Sequence, residues 1–356
     1  MDYYILVINP GSTSTKVAIY ENESEIISGN IEHPAEELER FDSIVDQHEY
    51  RTAAIKGFLE EKKFDTKSFS AVVGRGGLFK PLESGVYRVN EAMLADIREG
   101  RMQGQHISNI GAMLAYDIAE EVGVPAFIAD PVSVDEFCEL ARLSGLAQIP
   151  RIALQHTLNI KAVARKVLAK HSKSLQDVNL VVAHIGGGIS ICPLERGRII
   201  DANNAIQEGP FSPERTGGLP TGLLVDLCYS GKYTHKQMKK MLVGKGGLVS
   251  YLGTNNMKEL RKRINEGDKE AAFYIEAMAY QIAKEIGAMA TVLKGNIYRI
   301  IITGGGAHFP FLLKNIISRV NFIAPVEVFP GEHEMYALAT STLRVLKGEE
   351  GERQYE

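Results

Sequence analysis

The chain is poor in cysteine, in surplus positive charge and in long apolar runs. It has three cysteines, Cys138, Cys192 and Cys228, an odd number without any C-x-x-C pair. That argues against a disulfide framework or a zinc site and predicts buried, reduced thiols in a cytosolic protein. Lys and Arg total 40 against 44 Asp and Glu, a net charge of −4. Such a balance supplies no broad field to draw in nucleic acid or an anionic membrane, so an anionic ligand must be held by a local site. No stretch reaches the roughly 18 uninterrupted apolar residues of a membrane span. The first residues, MDYYILVINP, carry an acid where a secretory signal is basic and meet Pro10 after a short apolar run. A cytoplasmic protein with no nucleic-acid or membrane partner is expected.

What is present is length and repetition. At 356 residues the chain is over twice the commonest domain size of about 100–150 residues, which predicts two compact domains. With 45% hydrophobic and 24% charged residues it matches an average globular chain, excluding wholesale disorder, collagen and a disulfide-knit miniprotein. The apolar run 4–8 meets a glycine and hydroxyl cluster at 9–15, followed by β-rich runs at 17–20 and 25–31. The same order returns at 180–183, with Gly186, Gly187 and Gly188 as the turn and further runs at 189–194 and 198–202. Both read as β-meanders. Gly187 minus Gly11 is 176 residues, against 178 for half of 356, which points to a duplicated domain. Later in each half an apolar strand ends in clustered glycines, first at 71–77 and again at 300–306.

Between these elements Ile107, Ile110, Leu114, Ile118 and Val122 recur at helical steps, as do Ile275, Met278, Ile282, Ile286, Met289 and Leu293. Shorter stripes over 158–167 and 335–346 predict two more helices. Pro150 marks a boundary, giving domains over 1–150 and 151–330, with the last helix, within 331–356, crossing back to the first domain. The charged tail beyond Lys347 is expected to fray. Six histidines, His33, His48, His171, His235, His308 and His333, are assigned to surface or packing, and the charges at 236–240 and 261–263 to solvated helix faces.

A strand that ends in glycine and hydroxyl residues brings several main-chain N–H groups up to one anion, because no side chain holds the backbone away. Phosphate is the natural guest. The Walker pattern is excluded because Thr15 stands where its glycine must precede Lys16. The dinucleotide fingerprint is excluded because Ile191 occupies its third glycine and a strand follows in place of a helix. The protein-kinase H-R-D and D-F-G set is absent. Two glycine-turn meanders with two later strand–glycine junctions predict an α/β protein of two duplicated domains with a nucleotide cleft between them.

On the motifs NPGSTSTK at 9–16, GRGG at 74–77, HISN at 106–109, HTLNIKAVAR at 156–165, HIGGGIS at 184–190 and GGLPTG at 217–222, the chain resembles the acetate and butyrate kinase family. That family lies within the acetate and sugar kinase, heat-shock chaperone and actin superfamily. The HIGGG and GRGG segments are more similar to its butyrate kinase branch. The resemblance implies two actin-like (ribonuclease H-like) domains and a set of site residues. Asn9, Ser12, Ser14 and Lys16 would approach the transferring phosphoryl group and its Mg²⁺. His184 with Gly186, Gly187 and Gly188 would hold the β and γ phosphates of ATP, and Gly304, Gly305 and Gly306 would pack against the adenosine. Arg75 and Arg215 would neutralise the acyl phosphate as it forms. His156 would be an active-site histidine donating to the transferring group, and Asp130 a carboxylate beside it. Glu334, with Glu332 competing, would serve the metal together with Asn9. His106 and Pro213 would lie by the acyl chain. A homo-oligomer, a dimer or higher, is implied as well.

The chemistry agrees with such a set. Transfer between ATP and a carboxylate gathers several anions, so it needs arginines, a metal and main-chain donors, and no nucleophilic Ser or Cys. The expected reaction is butyrate plus ATP giving butyryl phosphate plus ADP. Gln155, where acetate kinases are expected to carry a bulky aromatic residue, favours butyrate. Acetate, propionate and isobutyrate remain open, because one methylene discriminates by only about 1–3 kcal/mol. A nucleotide-driven clamp of the same fold is the alternative outside enzymes. Arg75, Arg215 and Pro213 favour catalysis, and no segment is left over as a partner-binding appendage.

Overall fold

In the computed structural model, which describes residues 2–356, the chain divides into two compact units. One runs to Asp135 and includes His333–Glu356; the other is Glu136–Glu332. In the first, β1 (Tyr4–Pro10), β2 (Ser14–Glu21), β3 (Ser24–Glu32), β4 (Phe69–Arg75), β5 (Val86–Arg88) and β6 (Ala126–Ala129) form a sheet of order β3-β2-β1-β4-β6-β5. β1 to β3 are the antiparallel meander, while β1, β4 and β6 run parallel. The helices are α1 (Ala35–Leu38), α2 (His48–Glu61), α3 (Glu91–Arg98) and α4 (Gly111–Val122). The apolar stripe predicted over 107–122 begins as a tighter 3₁₀ turn, Ile107–Ile110, capped by the His106 side chain, before α4 takes over.

The second unit repeats the plan. β7 (Asn179–Ile185), β8 (Ile189–Glu195), β9 (Arg198–Ile199), β10 (Arg299–Gly304) and β11 (Val326–Pro330) pair in the order β11-β10-β7-β8-β9, which matches β6-β4-β1-β2-β3 strand for strand. Its helices are α5 (Thr157–Ala169), α6 (Thr221–Tyr229), α7 (His235–Leu242), α8 (Gly247–Leu252), α9 (Met257–Asn265), α10 (Lys269–Val292) and α11 (Pro310–Val320). Ile275, Met278, Ile282, Ile286 and Met289 of α10 are buried, as their spacing requires. A last helix, α12 (Glu334–Leu346), returns to the first unit and packs on β1, β4 and β6. In each unit the central strands are buried on both faces, which is why β1 and β7 read as nearly unbroken apolar runs.

Four expectations are revised. The first division falls at Asp135/Glu136 instead of 150/151, and the second at 332/333. Phe137 and Ala141 belong to the core of the second unit, and the Glu136 carboxylate accepts from Lys161 Nζ at 2.9 Å and from the Ile199 N–H at 2.8 Å. β9 stops at Ile199 because the Asn203 side chain takes over the main-chain groups of β8, accepting from the Ile191 N–H at 2.7 Å and donating to the Ile189 carbonyl at 2.8 Å. The C-terminal tail is docked. Arg353 bonds through its main chain to Val86 and Arg88, and the Tyr355 ring is buried against Phe79 with its hydroxyl donating to Asp96 at 2.6 Å. Of the cysteines only Cys192 is buried; Cys138 and Cys228 are exposed, and all three are free thiols. Among the described residues no helix is long and apolar enough to cross a membrane.

Candidate active site

In the first unit the C-terminal ends of β1, β4 and β6 deliver Asn9, Arg75 and Asp130 to one edge of the sheet. Ligands in open α/β sheets bind at such an edge. Glu334, the first residue of α12, joins it. Its carboxylate accepts from Arg75 Nη1 at 2.9 Å and Nη2 at 2.8 Å, and from Asn9 Nδ2 at 2.8 Å. This two-pronged pairing sets the guanidinium plane as well as its position. Lys16 pairs with Asn9 across the β1–β2 ladder, on the same face. Ser12 is exposed and Ser14 partly so, in the turn between these strands. His106 accepts from the Ser108 N–H through Nδ1 at 3.2 Å. The surrounding protein first and the Arg75 charge second pull its imidazole below the usual value, against an opposing effect of Glu334. Asp130 is buried, and its Oδ1 takes the Ser84 hydroxyl at 2.5 Å and the Gly85 N–H at 2.9 Å, so these bonds serve the start of β5.

The GRGG glycines have a packing origin. A Cβ at Gly74 would stand 2.0 Å from the Gly111 carbonyl oxygen, and one at Gly77 would stand 2.2 Å from Asn109 Oδ1. They let the segment leading into α4 press on β4.

Two residues that sequence reasoning assigned no role hold the first turn. Arg51 is wholly buried on α2. It donates through Nη1 to the Gly11 and Ser14 carbonyls and the Thr15 hydroxyl oxygen, through Nη2 to the Ser12 carbonyl, and through Nε and Nη2 to Gln47. His33 donates its main-chain N–H to the Thr13 carbonyl at 2.8 Å, and its Nε2 lies 2.8 Å from the Thr15 hydroxyl. The Thr15 hydroxyl oxygen accepts from Arg51 and keeps its own proton and a second lone pair for the contact with His33 Nε2. The one local signal was a charge within the buried stripe of α2, where Arg51 lies with Ile55 and Leu59.

In the second unit the glycine turn after β7 is closed by a bond from the Gly186 N–H to the Gly188 carbonyl at 3.0 Å. His184, buried at the end of β7, stacks on His156 with ring centroids 4.1 Å apart. Its Nδ1 accepts from the Asn159 amide at 2.8 Å, which places the proton on Nε2, and a Cβ at Gly186 would lie 3.1 Å from that nitrogen. His156 stands at the N-terminus of α5, its Nδ1 2.8 Å from the Ser190 hydroxyl. Arg215 lies against the turn, with its Nη1 where a Gly188 side chain would be, 2.3 Å from that Cβ. It donates to the Ala205 carbonyl at 2.9 Å, while its buried Nε has no partner among the described residues. Burial lowers the Arg215 value, and Glu214 partly offsets this.

A pocket of about 830 Å³ opens beside the turn, lined by Gly186, Gly187, Pro213, Gly305, Gly306 and Glu332, and also by Asn255, Arg261, His308 and Phe309. Pro213 therefore stands with the residues expected to hold the nucleotide. Arg261 and His308, read as surface residues, line the same wall; nothing in their local sequence marked them. Gly304 packs under Ile185 with φ of +87°, a close approach only glycine allows, while Gly305 faces open space. Glu332 thus belongs to this pocket and Glu334 to the Asn9–Arg75 cluster. Gln155 is buried in this second unit.

The fold is the duplicated actin-like one. An acetate kinase from Porphyromonas gingivalis superposes with a TM-score of 0.77 over 97% of this chain and 100% of that one, at 17% identity. The sequence profile of the acetokinase family matches residues 153–323. The chain is 50% identical over 353 residues to the "Probable butyrate kinase 2" of Caldanaerobacter subterraneus subsp. tengcongensis, covering 99% of both. It is also 50% identical over 354 residues to "Butyrate kinase 1" of Clostridium acetobutylicum, again covering 99% of both. The chain belongs to the acetokinase family.

Proposed function

We propose that this protein is a butyrate kinase, catalysing reversible phosphoryl transfer between ATP and butyrate. The observation that carries the reading is identity of 50% across nearly the whole chain with curated butyrate kinases. The geometry of each unit supports it. A butyrate carboxylate oxygen attacks the γ-phosphorus, a P–O bond forms, and the bond to the β–γ bridging oxygen breaks with its electron pair leaving on ADP. The carboxylate is ionised at neutral pH, so no proton has to be removed. Catalysis is then alignment and stabilisation of the equatorial oxygens.

In this reading the second unit holds the nucleotide. Main-chain groups of residues 186–188 and the His184 Nε2–H meet the β and γ phosphates, and the pocket floored by Gly305 and Gly306 takes the adenosine. Pro213 is assigned to the wall shared with the nucleotide, and the acyl chain to the neighbourhood of His106. Arg75 and Arg215 stabilise the charge that builds on the transferring group, and His156, oriented by Ser190, donates to it. Lys16, Ser12 and Ser14 contact the phosphoryl group. Asp130 acts through Ser84 and Gly85, holding the strand edge.

Mg²⁺ accompanies the nucleotide and supplies charge neutralisation on its phosphates. The oxygens of Asn9 and Glu334 are hard donors of the kind this ion takes alongside phosphates and water. Glu334 is preferred to Glu332 because it is the one hydrogen-bonded to Asn9. A cytoplasmic setting suits the ATP requirement.

Self-association belongs to the same reading. Helix α6 is strongly apolar, yet none of its residues is buried, and Leu223, Val225 and Tyr229 are exposed. A second copy of this chain is the occupant we assign to that face, and sedimentation of wild type against Leu223→Glu tests it: a dimer converted to a monomer is expected.

The activity is tested by trapping acyl phosphate with hydroxylamine in the presence of ATP and Mg²⁺ across acetate, propionate, butyrate, isobutyrate and valerate. The largest kcat/KM is expected with butyrate. A maximum at another acid would move the specificity, and no product with any acid would overturn the enzyme reading.

A further inference from the structure

The most unusual charge in the first unit is Arg51. It is fully buried, its six hydrogen bonds go to three main-chain carbonyls, the Thr15 hydroxyl and the Gln47 amide oxygen, and none goes to a carboxylate. Burying a cation without a counter-charge is costly even when every donor is satisfied. An apolar helix residue would have packed this site at less cost, so the position of the guanidinium calls for a reason beyond packing.

Its geometry supplies one. Arg51 draws the carbonyls of Gly11, Ser12 and Ser14 to one side, and the His33 N–H holds the Thr13 carbonyl. A peptide unit is planar and trans, so the N–H on the far side of each unit points the opposite way from its carbonyl. The N–H groups of Ser12 and Thr13, opposite the Gly11 and Ser12 carbonyls, are thereby turned away from Arg51. Among the described residues the Ser12 and Thr13 N–H groups have no protein partner, and both residues are exposed. A run of outward N–H groups backed by a fixed positive charge is an anion nest.

We infer that Arg51 is a positioning residue for phosphoryl transfer. It holds residues 11–14 so that the Ser12 and Thr13 N–H groups are preset toward the transferring phosphoryl group, and that dianionic group is the counter-charge the buried guanidinium otherwise lacks. The inference rests on the kinase reading above for the identity of the anion, and on this chain's own bonds for the role of Arg51. The arrangement needs a planar five-donor fork. Lysine, with one ammonium, reaches fewer carbonyls from the same place.

Two experiments test it. In wild-type protein, hydrogen–deuterium exchange of the segment containing residues 11–15 is compared with and without excess inorganic phosphate, and again in Arg51→Met and Arg51→Lys. Phosphate is expected to slow exchange there in wild type and to have little effect in either variant. In kinetics, Arg51→Met is expected to lose about 10²- to 10³-fold in kcat, the scale of one oxyanion donor. Its affinity for ADP stays unchanged, because ADP lacks the transferred phosphoryl group and is assigned to the second unit. Arg51→Lys should fall between, and added guanidinium should restore part of the rate in Arg51→Ala.

Thermal melts identify any variant that fails to fold. In that case Arg51→Lys and the wild-type exchange result decide the matter. Absence of phosphate protection in wild type, equal protection in a folded Arg51 variant, or a kcat within about tenfold of wild type in folded Arg51→Met would each overturn the role. A wild-type protein inactive with every acid would instead overturn the kinase reading, and the exchange experiment would still judge the nest.

Discussion

Arg75 and Glu334 neutralise each other through two parallel hydrogen bonds, Nη1 to Oε2 at 2.9 Å and Nη2 to Oε1 at 2.8 Å, although 259 residues separate them. The sequence reading had assigned them separate duties, one to the acyl phosphate and one to the metal. The structure makes them a single unit with Asn9. Removing either partner leaves the other mostly buried, still hydrogen-bonded to Asn9 but without its counter-charge. Arg75→Ala is therefore expected to cost roughly 1–3 kcal/mol of stability as well as about 10³-fold or more in kcat. In a double-mutant cycle with Glu334→Gln the stability losses should fall well short of additive. Chemical denaturation and steady-state kinetics on the four proteins check both parts.

Arg215 and Gly188 occupy one space. Arg215→Ala should lower kcat by about 10³- to 10⁵-fold with little change in melting temperature, since the guanidinium lies at the turn and not in a core cluster. Gly188→Ala should approach that loss from the other side, about 10²-fold, because its methyl group would stand 2.3 Å from Arg215 Nη1 and displace it. At Gly187 the nearest protein atom to an added methyl is 3.6 Å away, so Gly187→Ala should leave stability unchanged and controls for folding only. Activity within tenfold of wild type in Arg215→Ala would remove that residue from the mechanism.

His33 predicts a specific acid sensitivity. Burial, and secondarily the Arg51 charge, lower its value to about 4. The unfolded chain, titrating near 6.5, then binds the proton first as pH falls. Because the unfolded state holds more protons, stability rises with pH. The His33 contribution, roughly 2–4 kcal/mol, is complete above about pH 6.5 and is lost progressively as pH falls to about 4. Urea denaturation between pH 7 and pH 4.5 should show this loss in wild type and a flatter dependence in His33→Gln. Parallel curves for the two proteins would contradict the assignment.

The docked tail gives a stability prediction. Tyr355 is 2% exposed, packs edge-on against Phe79 and donates to Asp96. Burial, with Asp96 accepting its proton, raises the hydroxyl's pKa. Tyr355→Ala should cost about 3 kcal/mol, the scale of removing a buried aromatic. Amide exchange should rise around β5 and α3 while the second unit keeps its protection. A loss below about 0.5 kcal/mol would mean that the tail frays after all.

Most of the architecture was legible in residue order. Both meanders, the long stripe of α10 and the offset between the two glycine turns follow from short-range periodicity, because a strand or helix shows its buried face within a few residues. Family motifs were legible for the same reason, as contiguous runs that serve one turn or one helix start. The tail was misjudged because Tyr355 is a single apolar residue in polar surroundings, and the 136–150 segment because nothing local says which core Phe137 and Ala141 enter.

The site divides along the same line. Local sequence was enough to place glycine turns at strand ends and to mark Asn9, Arg75, His184 and Arg215 as residues worth attention. It did not reveal that Arg75 is held by Glu334, that Glu332 and Glu334 belong to different clusters, or that Arg51 and His33 hold the first turn. Those are hydrogen bonds between side chains brought together by sheet order and helix return. A donor's partner depends on which atoms lie within about 3 Å of it, and chain separation does not limit that choice once the protein has folded.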